Sequence, residues 1–122
     1  MDELFLLSRE QMARISPHFP LSHGVSRVDD QKVVSGILYV IRNGLQWKDA
    51  PKTYGPYKTL YNRFIRWSLL GVFDRIFVSL AGAGPKPERI MIDSTHLKVH
   101  RTAASLLKKG AFPGVSGARK AV

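Results

Sequence analysis

Apolar residues recur along this chain at three- and four-residue spacing, and that rhythm predicts most of its elements. In "DDQKVVSGILYVIRNG" the positions Val33, Val34, Ile37, Leu38, Ile41 and Leu45 follow it, which marks a helix with one buried face. Asp29 and Asp30 suit the positive N-terminal end of that helix, and Asn43-Gly44 closes it. Upstream, Ser8 with Gln11 three residues on has the capping-box pattern, so a short helix is expected from Ser8 to Ile15, broken by "SPHFPLSHG". A third helix is expected from Pro56 through "YKTLYNRFIRWSLLG" to Gly71. Tyr57, Leu60, Tyr61, Phe64 and either Trp67 or Ser68 line one side of it, with Lys58, Asn62, Arg63 and Arg66 on the other. "VFDRIFVSLAG" reads as a fourth helix with Val72, Ile76, Phe77 and Leu80 inward.

The remaining segments lack that period. "LQWKDAPKTYGPYK" is a loop whose Trp47 and Tyr54 are large enough to plug a small core. The Gly-Pro run "GAGPKPE" ends the helical part. After it "RIMID" is short, bounded and carries two Ile, which fits a strand. Beyond Lys108 little is left to pack, and a loose segment is expected. No internal repeat is visible. The fold class expected is mainly α: a helix-turn-helix-like domain over residues 1–84, then a segment of different character from 85.

Composition sharpens this picture. The chain has 122 residues with 44% hydrophobic content, enough for one modest core. Its 19 Lys and Arg against 9 acidic residues leave a net charge of +10, which suits a polyanion and makes double-stranded DNA the leading partner. With no Cys, disulfides and thiolate metal sites are excluded. Acidic residues precede the short apolar run of "MDELFLLSRE", against a signal peptide, and no apolar stretch approaches a membrane span. A cytoplasmic, nucleoid-associated protein with no membrane partner is expected. Lys58, Asn62, Arg63 and Arg66 are the candidate DNA contacts, Asn and Arg being the usual readers of adenine and guanine. A solvated outer face is the alternative.

Asp93 heads a basic tail: the 29 residues after it hold six Lys or Arg and no acidic residue. In two-metal phosphodiester chemistry several carboxylates hold the ions, and one alone cannot. Asp93, His96 and His100 would share one helix face and could hold a metal there, but Thr95, Leu97 and Val99 suit an extended conformation equally. Exposed histidines beside a basic surface are the plainer reading. Ser94, Thr95 and Thr102 have no partner constellation for nucleophilic catalysis.

Residues 20–112 resemble the N-terminal part of bacterial transposases of the insertion sequence five family. The series Gly44, Trp47, Pro51, Arg63, Phe64, Trp67 and Gly71 carries the likeness, together with Asp93, Ser94, Thr95 and "HRTAA". The resemblance implies a helical DNA-binding domain leading into the first strand of a ribonuclease H-like catalytic fold, here incomplete and confined to residues 85–112. It implies that Asp93 is the first of three acidic ligands for Mg2+, the second Asp and the Glu lying further on in family members. In relatives "KKGAFP" is followed by a segment like "RRIGRTKGG", whereas here "GVSGARKAV" follows. Back-translation with permitted codons and removal of two nucleotides converts one into the other, so 113–122 is expected to be a frame-shifted tail. The function expected is that of a DNA-binding transposase portion, incompetent alone, which recognises the element's terminal inverted repeats. It would be completed by a second-frame product or stand beside full-length transposase. The alternative is a stand-alone repressor of transposition, and a decayed copy is the third reading.

Overall fold

The computed structural model describes residues 4–20, 29–81 and 85–109. Among these described residues five α-helices run in the order α1 (Arg9–Ile15), α2 (Asp30–Arg42), α3 (Tyr57–Leu69), α4 (Val72–Leu80) and α5 (Lys86–Lys108). Three 3-10 turns, Ser16–His18, Trp47–Asp49 and Lys52–Tyr54, lie in the connections. The chain is mainly α, and no strand occurs among the described residues.

The helix ends follow from local chemistry. Gln11 N–H donates to Ser8 Oγ at 3.1 Å while Ser8 N–H donates to Gln11 Oε1 at 2.8 Å, so the capping box closes α1. Asp29 Oδ1 accepts from Lys32 N–H at 3.3 Å and caps α2. At the other end Gly44 has φ 65°. That left-handed residue lets Leu45 N–H reach Val40 O at 3.0 Å and Gly44 N–H reach Ile41 O at 3.2 Å, the double closure of a Schellman motif. Gly71, at φ 71°, reverses the chain between α3 and α4.

Helix α2 is buried along most of its length. Val33 through Leu38 are all buried, and so are Val40 and Ile41. Gly36 belongs to this run for a steric reason: a Cβ there would lie 2.8 Å from both Cβ and Cγ of Tyr54. The N-terminal segment 4–8 is held by three hydrogen bonds, two to α2 and one to the 3-10 turn that ends at Tyr54. Leu7 N–H donates to Ser35 Oγ at 2.9 Å, Gln31 Nε2 donates to Leu7 O at 2.6 Å, and Tyr54 Oη donates to Phe5 O at 2.6 Å. Leu7 is thereby fully buried. Burial, with Tyr39 adding and Arg42 opposing, pushes the Tyr54 phenol up to about 12.

A chain of rings joins the other elements. Phe19 lies 4.7 Å from Trp67, Trp67 6.1 Å from Phe73, Phe73 5.5 Å from Phe64, and Phe64 5.2 Å from Trp47. The loop aromatics thus fill the core as expected, Tyr54 buried and Trp47 partly so. Val72, Ile76, Phe77 and Leu80 of α4 point inward, joined by Phe73.

Two expectations are corrected. Residues 89–93 are helical, within α5, and not a strand. A strand needs neighbours to take its N–H and C=O groups, whereas a helix satisfies them within the segment. Ile92, Thr95 and Val99 then recur at helical spacing and are buried, with Met91, Ala103 and Leu106 partly buried beside them. Helix α5 packs against α2 and α4, so residues on both sides of position 84 contribute to one core. Arg63 is the second correction: it is 8% exposed and faces inward. Leu60, Arg63, Phe64 and Trp67 occupy i, i+3, i+4 and i+7, so Arg63 lies in the buried stripe itself. Tyr57, expected inside, is 40% exposed, and of the pair Trp67 and Ser68 it is Trp67 that enters the core. The expected tail 113–122 lies outside the described residues.

Candidate nucleic-acid interface

Once α3 buries Leu60, Phe64 and Trp67, its opposite side is decided by the 3.6-residue period. Lys58, Asn62 and Arg66 stand there at i, i+4 and i+8, all exposed. They form one polar stripe about 12 Å long at ~1.5 Å of rise per residue. Three of the four candidate contacts are therefore brought together.

Arg63 is the exception. Its guanidinium donates to Asp30 Oδ1 at 2.9 Å, and its Cζ lies 5.0 Å from the Trp67 ring centroid. A buried cation needs such partners, because desolvation without them costs several kcal/mol. Arg63 holds α3 to the start of α2, which is a structural task.

At its N-terminal end the stripe opens into a groove of about 440 Å³ lined by Lys48, Ala50, Lys52, Gly55, Pro56, Tyr57 and Lys58. The 3-10 turns before α3 place Lys48 and Lys52 on this rim, beside a helix start that no side chain caps. Lysine ammonium groups around a positive helix end are what phosphate oxygens seek. Lys48 and Lys52 are not among the contacts expected from sequence, where the aromatic residues are the loop's plainest feature. The signal available was three Lys interleaved with Pro51 and Pro56, prolines being able to hold a short loop rigid.

Asp93 lies elsewhere, exposed on the first half of α5. Mg2+ takes a near-octahedral set of oxygen ligands. Among the described residues Asp93 belongs to no group of three potential ligand side chains, so the residues present do not assemble a magnesium site around it. Nor does Asp93 join His96 and His100. The carboxylate beside those rings is Asp74 of α4, whose Oδ1 is 3.1 Å from His96 Nε2 and 2.9 Å from His100 Nε2. Among the described residues no helix is long and apolar enough to cross a membrane.

Comparison with known proteins places these features in a family. Residues 7–77 match a family model described as "Putative transposase of IS4/5 family". The chain is 33% identical over 89 residues to the uncharacterized protein y4sN of Sinorhizobium fredii, covering 71% of this chain and 70% of that protein. It is 31% identical over 77 residues to the insertion element IS402 uncharacterized 16.2 kDa protein of Burkholderia cepacia, covering 62% of this chain and 52% of that one. No solved structure matches. With more than half of its length inside the family model, the chain belongs to the IS4/5 transposase family.

Proposed function

We propose that this chain is the DNA-binding N-terminal portion of an insertion-sequence transposase, and that α3 and the lysine groove form its DNA-contacting face. The observation that carries the reading is the exposed stripe Lys58, Asn62 and Arg66, continuous through Lys58 with the groove that Lys48 and Lys52 line. Helix α3 enters the major groove in helix-turn-helix fashion, Asn62 and Arg66 reading base edges while Lys48, Lys52 and Lys58 hold phosphates. The connection to α2, residues 43–56 with two 3-10 turns, is longer than the usual three- or four-residue turn. The target is the element's terminal inverted repeats.

In this reading Asp93 is the first acidic ligand of a Mg2+ site whose other carboxylates come from a further segment or a second-frame product, and this chain alone does not cleave DNA. Mg2+, once held there, would supply Lewis-acid chemistry at phosphate. The test is a mobility-shift titration with terminal-repeat duplexes and unrelated duplexes at several salt concentrations. Tighter binding to the repeats, falling steeply with salt, is expected. Equal affinity for every duplex would overturn the selective part.

A repressor role is the second reading, favoured by the placement of the DNA face on a helical body with its own core. Supplied in trans, the chain would then lower transposition frequency; an unchanged frequency counts against it.

A further inference from the structure

We propose that Asp74, His96 and His100 form a binding site for a divalent transition-metal ion of the zinc class, which ties α4 to α5. The two histidines come from successive turns of α5 at i and i+4 and share one face. Asp74 in the first turn of α4 meets both. Its Oδ1 is 3.1 Å from His96 Nε2 and 2.9 Å from His100 Nε2, and the three ligand atoms all lie within 4.8 Å of one another. With zinc bonds of about 2.0 to 2.2 Å, a tetrahedral ion holds its ligand atoms roughly 3.3 Å apart. The two Asp–His separations need to open by only a few tenths of an ångström, and the imidazole nitrogens, within 4.8 Å of each other, to draw together by at most about 1.5 Å.

The donor set selects the ion. Two imidazole nitrogens and one carboxylate oxygen suit zinc and its neighbours, while Mg2+ prefers oxygen throughout. The His96 ring is already oriented, stacked on buried Phe77 at 4.7 Å between centroids and 10° between planes. Asp74 and His100 are more than half exposed, so an ion can enter from solvent and keep a water as fourth ligand. The inner side of the site is a cleft of about 50 Å³ lined by Ser68, Gly71, Phe73, Asp74, Val99, His100 and Ala103. Ser68 Oγ is buried without a hydrogen-bond partner among the described residues, a polar atom that a ligand or its water could satisfy.

The experiment is a calorimetric titration of the whole chain with ZnCl2 and, separately, MgCl2, backed by the visible spectrum with Co2+ as a probe. One zinc per chain is expected, with no response to magnesium and the intense bands of four-coordinate cobalt. The melting temperature should rise on the order of 10 °C at free zinc a hundredfold above the dissociation constant. Asp74→Asn and His100→Gln change exposed side chains and should each weaken binding at least tenfold. Both variants keep His18 and His23, which report non-specific capture. Equal zinc binding by wild type and both variants would overturn the proposal, as would no saturable binding by the wild type. In the latter case Asp74 is only a hydrogen-bond acceptor for two imidazoles.

Discussion

Arg63 and Arg66 sit three positions apart on one helix with the same charge, and the structure gives them opposite surroundings, the first buried and the second exposed. Arg63 is 8% exposed, bonded to Asp30 at 2.9 Å and stacked over Trp67. Arg63→Ala removes the cation, leaves the partly buried Asp30 carboxylate without this partner, and opens space against Trp67. Breaking a buried ion pair from one side costs about 3 to 5 kcal/mol. The low end applies here, since the Asp30 side chain keeps 23% of its exposure and water can reach it. A loss of about 3 kcal/mol, at a urea slope of ~2 kcal/mol per molar, moves the unfolding midpoint down by roughly 1.5 M. Arg66→Ala touches an exposed residue and should leave the midpoint within ~0.3 M, because such surface changes stay near 0.5 kcal/mol. Affinity for duplex DNA should divide the other way. Arg66→Ala weakens it and lowers the salt slope by about one unit, while folded Arg63→Ala binds nearly as wild type. Urea melts followed by Trp fluorescence and salt-dependent mobility shifts read both quantities on the same samples. If Arg63→Ala melts like wild type yet loses DNA, the inward assignment fails.

Tyr54 carries a pH dependence. Below pH 10 its phenol is protonated in both folded and unfolded chains; between 10 and about 12 only the unfolded chain ionises it. Its contribution, roughly 2 to 3 kcal/mol, is present below pH 10 and is lost as pH rises through 12. Stability curves of wild type and Tyr54→Phe should therefore converge across that window, and parallel curves would contradict it. Gly36→Ala gains about 1 kcal/mol of helix propensity but drives a Cβ to 2.8 Å from Tyr54, whose hydroxyl is tied to Phe5 O. A net loss of about 1 to 2 kcal/mol by thermal melting is expected, and a stabilised variant would refute the close packing. Asp93→Asn should leave DNA affinity of this chain within twofold, and abolish strand cleavage when the chain is joined to a complete catalytic region. Retained cleavage would refute the proposed ligand role of Asp93.

Much of the helical body is written locally. The apolar rhythm of α2, the Ser8 and Gln11 capping box, the Asn43-Gly44 stop and the inward face of α4 each depend on residues within a few positions of one another. Backbone geometry and capping chemistry determine such features before the chain folds. The stripe of Lys58, Asn62 and Arg66 was legible for the same reason. What tertiary structure alone decided involves partners far apart in the chain. Arg63 turned inward because Asp30, 33 positions upstream, offered a carboxylate beside Trp67. Residues 89–93 became helical because α2 and α4 presented apolar faces and, among the described residues, no strand stood beside them. Asp74 replaced Asp93 beside His96 and His100 because packing laid α4 against α5. Sequence spacing specifies which face of an element a residue occupies. Which other element meets that face depends on the packing of the whole chain.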